Sequence, residues 1–243
     1  MIHFTKGIIL RTIKYGETSV IVSVFTELFG IQSYIVNGVR TSGKASKAHF
    51  FQPASILEME VYHNDLKNLQ RIKDLKWGHL YKNIFSDVTK NSVALFMVEL
   101  LQKNLKQPET NEDLFHFCED AFLQLDQAEP SITANFPIYF SIQLAQILGF
   151  RMLDNFSSER NIFNLYEGSF SSEKNAGENQ LSVEISFYIS ELLKAIHPKD
   201  LREIKMNRNA RIAILKNFES YYAWHVQDFG TMKTLSVLSE ILG

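Results

Sequence analysis

The chain has a single cysteine, Cys118, so it can form no internal disulfide and cannot by itself build a thiolate zinc cage. Set between Phe117 and Glu119 in a helical pattern, Cys118 reads as a small core residue rather than a nucleophile. No run approaches the ~18 apolar residues of a membrane span, and the start, Met1 to Lys6, lacks a basic stretch followed by an apolar one. A cytoplasmic protein is expected. Catalytic constellations are also missing. The seven histidines show neither HExxH nor His-x-His spacing. Gly38, Gly43 and Lys44 fit a Walker loop, but Ala45 stands where a magnesium-binding Ser or Thr belongs, and no helical pattern follows. Glu58 and Glu60 share one strand face, as alternation requires of a solvent side, and have no cleft partner for acid-base work. The expectation is a protein that is not an enzyme and carries no cofactor.

Acidic residues are missing from Leu28 through Leu57, and within that gap "NGVRTSGKASKAHF" places Arg40, Lys44 and Lys47 among small residues. Such a loop is either a solvated surface or a grip for something negative. The 243 residues, 45% hydrophobic and 21% charged, suffice for one or two domains with a core. The net charge of -2 hides an asymmetry: residues 1-80 hold ten Lys/Arg against six Asp/Glu, and residues 81-243 hold fifteen against twenty-one, for net charges of +4 and -6. A basic module joined to an acidic one suggests a polyanion partner for the first.

The hydrophobic period changes at the same place. From Gly7 to Trp77 five β-rich runs follow one another: "GIILRTIKY", "TSVIVSVFT", "IQSYIVNGV", "FFQPASILEMEVY" and "LKNLQRIKDLKW". Val20, Val22 and Val24 alternate with Ile21, Ser23 and Phe25, and Leu57, Met59 and Val61 alternate with Ile56, Glu58 and Glu60. Short connections containing Gly16, Gly30 and "HNDLKN" suit antiparallel neighbours. Only the third connection, the basic one, is long. Five short strands in so few residues suit a small barrel such as the OB-fold.

After Gly78 the period is helical. Helices are expected over Ser92 to Lys106, and from Thr110, with Asp113 three residues on as an N-terminal cap pair. Pro130 and Pro137 are expected to bracket a turn leading into "IYFSIQLAQILGF", with Gly149 as a C-terminal cap. Residues 152-180, rich in Ser, Asn, Glu and Gly, read as an irregular insertion. Helices resume at about Ser182 to Ile196, break at Pro198, and return from Asn209 to Phe229. The expected fold class is α+β: an N-terminal five-stranded OB-fold barrel, residues 1-79, followed by a mainly α-helical domain, residues 80-243.

"GIILRTIKYGETSVIVSVFTELFG", then "NGVRTSGKASKAHFFQPASILEMEVY", then "LGF" near residue 150 and "YYAWHVQDFGTMKTLSVLSEIL" at the end resemble, in order and across the chain, the RecO family of bacterial DNA-repair proteins. The resemblance implies an OB-fold followed by a helical domain. It also implies a nucleoid-associated mediator that binds single- and double-stranded DNA and anneals complementary strands. Together with RecR, such a mediator helps load RecA onto strands covered by single-stranded-DNA-binding protein. Arg40, Lys44 and Lys47 match the basic segment that the family uses on DNA, and Arg11 and Lys14 are natural additions from the first strand. Tyr15 and Tyr34 could stack on bases or belong to the barrel core. The helical domain is implied to accept the acidic, apolar tail of the single-strand binder. Arg151, Arg202, Arg208 and Arg211, with Lys205, are its candidate cations, against the alternative of a solvated face. Many family members carry a four-cysteine zinc site where this chain has "RMLDNFSSERNIFNLYEGSF", so no metal is expected. Phe156, Ile162, Phe163, Leu165 and Phe170 would then have to hold the insertion together. The alternative function is a generic OB-fold nucleic-acid-binding adaptor in another pathway.

Overall fold

A computed structural model describes residues 1-39, 47-172 and 179-242. Five strands, β1 (Ile2–Tyr15), β2 (Ser19–Thr26), β3 (Gly30–Val36), β4 (Ile56–Tyr62) and β5 (Gln70–Trp77), close into a barrel in the order β1-β2-β3-β5-β4. All neighbours are antiparallel except β3 and β5, which close the barrel in parallel. This is the expected OB-fold barrel, followed by helices. The interior takes the alternate residues of each strand, Val22 and Val24 on β2 and Leu57, Met59 and Val61 on β4 among them. Burying one such side chain stabilises the fold by about 1.5–3 kcal/mol.

β1 begins five residues earlier than the alternation from Gly7 indicates, because Ile2 to Ile8 pair along β4. A bulge between Ile9 and Arg11 then shifts the register with β2. Such an extra residue bends a strand and increases its twist, so β1 serves two neighbours along its length. Tyr34 lies wholly in the interior, and its hydroxyl has no hydrogen-bond partner among the described residues. Desolvation pushes its pKa far up. Stacking on bases is therefore closed to Tyr34: as the direct partner of inward-facing Val22, it shares the inner face of the pleat.

Two compact units divide the chain: Met1–Lys82 with Leu101–Leu123, and Asn83–Leu100 with Gln124–Gly243. In the first, Phe25 packs on Phe115 with ring centroids 5.5 Å apart. Lys6 Nζ donates to both Glu119 carboxylate oxygens at 2.9 and 3.0 Å. Cys118 is fully buried, and burial pushes its thiol far above the ordinary range, so no thiolate nucleophile is available there.

Helices α1 (Val88–Asn104) and α2 (Glu112–Gln127) run through both units; α3 (Pro130–Ile147), α4 (Val183–Lys194), α5 (Arg208–His225) and α6 (Thr234–Ile241) belong to the second. Two sequence expectations need correction. The cap of α2 is Asn111, whose Oδ1 accepts from Leu114 N at 2.9 Å, because the Thr110 hydroxyl instead donates to Leu28 O. Pro130 and Pro137 do not bracket a turn, since both lie within α3. Pro130 occupies the first helical turn, where its missing N–H costs nothing. Pro137 is carried by burial: Ile132, Phe136, Ile138, Tyr139 and Phe140 are buried around the helix, offsetting the lost backbone bond.

The described part of the insertion is more ordered than its composition implies. It forms a hairpin, β6 (Ile162–Asn164) and β7 (Ser169–Ser171), with Asn164 bridged to Gln180. Phe163, Leu165 and Phe170 are buried, and edge-on contacts of 5.0 Å to Phe163 and 5.3 Å to Phe156 fix Phe170. Elsewhere in this unit the buried Asp126 carboxylate accepts from Asn83 N at 2.8 Å and Ile84 N at 2.9 Å. Asp126→Ala would strand both donors and is expected to cost about 3 kcal/mol in urea unfolding, whereas Asp126→Asn, which keeps an acceptor, should cost far less.

Candidate nucleic-acid interface

Directly opposed residues in a barrel share a face, so the register shows which side chains come together. Across β1, β2 and β3, Arg11 lies opposite Ser23 and Ser23 opposite Ser33. In the next row Ile13, Ile21 and Ile35 line up, and the parallel β3–β5 pairing continues that row to Arg71. Tyr15, opposite Ser19, stands at the end of the same face with 52% of its surface exposed. This outer face therefore combines apolar and aromatic surface with guanidinium groups, and small serines keep the middle low.

The face continues into an open groove of about 470 Å³ lined by Ser23, Ser33, Lys67 and Lys106, and by Asp65, whose carboxylate lies 2.8 Å from His63. Lys67 comes from the β4–β5 turn and Lys106 from beyond the barrel strands. Phe29, at the wall, stacks on His63 with centroids 3.8 Å apart. Lys67, Arg71 and Lys106 were not singled out by sequence reasoning, since each is an isolated cation in its own segment.

Of the residues expected to touch nucleic acid, Arg11, Lys14, Tyr15 and Lys47 are all exposed. Arg11 and Tyr15 share the outer face. Lys14, opposite inward-facing Val20, belongs to the other side of the pleat, at the end of the barrel interior. Lys47 leads into a 3-10 turn, Ala48–Phe51, that Thr12 holds by donating its hydroxyl to Phe51 O at 2.7 Å. Arg40 and Lys44 lie outside the described residues. Among the described residues on either side of them, Val39 and Phe51 are buried in the barrel core. Next to Lys47, the rings of His49, Phe50 and Trp77 form a partly exposed aromatic group, with Phe50 and Trp77 centroids 4.6 Å apart. Its sequence signal was faint: "HFF" and Trp77 are 26 positions or more apart and read as strand ends.

The four arginines proposed for partner binding divide. Arg202 and Arg211, with Lys205, line a pocket of about 400 Å³ whose apolar wall includes Tyr188, Ile204 and Met206. Arg211 is also structural: its Nε donates to Asn135 Oδ1 at 2.9 Å, and desolvation lowers its pKa. Arg202 pairs with Glu129 at 2.8 Å. Arg208 and Arg151 do not line this pocket: Arg208 donates to Ser239 O, and Arg151 is an exposed residue after the Gly149 cap.

Comparison with known proteins agrees with this architecture. Residues 1–81 match the family model described as Recombination protein O N terminal, and residues 86–234 match Recombination protein O C terminal. Among curated relatives, the DNA repair protein RecO of Christiangramia forsetii is 32% identical over 247 residues, covering 100% of each chain. That of Flavobacterium psychrophilum is 32% identical over 98% of each, and that of Phocaeicola vulgatus 30% identical over 99% of each. With both halves matched in order around an OB-fold barrel, the chain belongs to the RecO family of DNA repair and recombination proteins.

Proposed function

We propose that this protein is a non-enzymatic mediator of DNA repair and recombination. In this reading it binds single- and double-stranded DNA, anneals complementary strands and, with RecR, helps load RecA onto strands covered by single-stranded-DNA-binding protein. The observation that carries the reading is the outer barrel face, where Arg11 and Arg71 flank the exposed Ile13 and Tyr15 and a groove bearing Lys67 and Lys106 continues the path. Cations neutralise phosphates, aromatic faces accept bases of any identity, and neither interaction reads sequence. Annealing requires that tolerance. The pocket of Arg202, Lys205 and Met206 has the apolar floor and basic rim that an acidic, apolar tail of the single-strand binder needs.

The decisive assay is annealing of complementary oligonucleotides coated with the cognate single-strand binder. The protein should accelerate it, and truncating the binder's tail should abolish the acceleration. No acceleration would leave the adaptor reading in its place. Arg40→Ala, Lys44→Ala and Lys47→Ala together should flatten the dependence of log affinity on log salt by about two units, at ~0.7 per single-strand phosphate contact. An unchanged slope would take the loop out of the interface.

A further inference from the structure

The barrel has a second outer face, chemically opposite to the first. Phe4 on β1 lies across from Glu60 on β4, and Glu60 from Asp74 on β5; in the adjacent row Lys6 faces Glu58, and Glu58 faces Lys76. Between them opens a groove of about 440 Å³, also lined by Glu27 and Leu75. Its two lining cations are already engaged: Lys6 by Glu119 at 2.9 Å and Lys76 by Glu58 at 2.7 Å. Those bonds raise the pKa of both lysines and keep them charged in place. With Glu27, Glu58, Glu60 and Asp74 against these two lysines, the lining carries net negative charge, so a phosphate backbone is repelled here.

Phe4 is the anomaly. It sits within a paired strand with 71% of its surface exposed, directly opposite Glu60, with Asp74 on the strand beyond. An exposed ring next to acids suits a guanidinium, which can lie over the ring, compete with Lys73 for Glu60 and reach Asp74, with Leu75 as an apolar neighbour. We propose that the β1–β4–β5 face is a docking groove for an arginine-bearing, apolar segment of a partner protein, and that it works independently of the nucleic-acid face. The bulge after Ile9 makes this arrangement possible, because one strand contributes Phe4 and Lys6 to one face and Arg11, Ile13 and Tyr15 to the other.

The test uses the full chain, isotopically labelled for NMR, titrated with a short peptide alternating arginine and leucine and with its glutamate–leucine counterpart. The basic peptide should perturb the amides of Phe4, Glu60 and Leu75, and Phe4→Ser should leave the affinity for oligothymidylate, measured without peptide, at its parental value. Phe4→Ser, and separately the pair Glu60→Gln with Asp74→Asn, should each weaken binding of the basic peptide by about tenfold, the loss of one anchor contact. All these positions are at the surface, and the Glu60–Lys73 pair lost in the second variant contributes little to folding, so both spectra should stay native. The proposal is overturned if the basic peptide perturbs other amides, if Phe4→Ser weakens oligothymidylate binding as much as peptide binding, if the acidic peptide binds as well, or if both variants bind the basic peptide as tightly as the parent.

Discussion

Neutralising Arg11, Lys67 and Arg71 together should lower the slope of log affinity against log salt for single-stranded DNA by about two units, each phosphate contact contributing ~0.7. A difference of that size means that a tenfold rise in salt costs the variant about a hundredfold less affinity than it costs the parent. Binding should also weaken about evenly across sequences, because nothing on the outer face reads base edges. Salt titration of a fluorescent oligothymidylate measures both quantities. These three residues come from β1, the β4–β5 turn and β5, and each is exposed, so the barrel should fold normally without them. The variant set at Arg40, Lys44 and Lys47 provides the comparison. If loop and face contact separate phosphates, the two losses in slope add. A face variant with the parental slope would show that the strand path does not cross Arg11 and Arg71.

Gly30→Ala should be strongly damaging for a substitution that adds one methyl group. Gly30 begins β3 with a φ of +60°, a conformation that costs any other residue about 1 kcal/mol. The larger penalty is steric, since a Cβ there would lie 2.2 Å from the Glu109 carbonyl oxygen and 2.9 Å from the Glu109 nitrogen. Both are main-chain atoms, so no side chain can swing aside. A total loss of about 2–4 kcal/mol is expected in urea unfolding. Gly16→Ala, in the β1–β2 turn, supplies the control: its φ is +62°, and among the described residues nothing lies within 4 Å of the added methyl, which leaves the conformational cost of about 1 kcal/mol. Equal losses at the two positions would mean that the contact with Glu109 does not constrain the fold.

Legibility in the sequence followed burial. Val20, Val22 and Val24 point inward as their alternation indicates, and so do Leu57, Met59 and Val61, because a strand with one buried face must repeat every second residue. Helix ends were less readable. Thr110 and Asn111 are both good caps by composition, and a hydrogen bond from Thr110 to Leu28, distant in the chain, left Asn111 to do it. Pro137 looked like a break because its local cost is plain, while the burial that offsets it is supplied by packing around α3. The candidate site was legible only in its segments. Arg11 and Tyr15 were named and share a face; Lys14, one residue from Tyr15, belongs to the other side of the pleat.

By itself, the sequence determined the barrel, the helical part that follows it and the family, because each rests on ordered local patterns: period two, then period three to four, then motifs in a set order. Tertiary structure alone decided which charges act together. Arg71 reaches the Ile13–Ile21–Ile35 row only through the parallel β3–β5 pairing, Lys106 reaches its groove from outside the strands, and Phe4 meets Asp74 across two neighbouring ladders. Exposed charges need no burial pattern to be stable, so they leave no periodic trace in the chain, and only the closing of the barrel gives them neighbours.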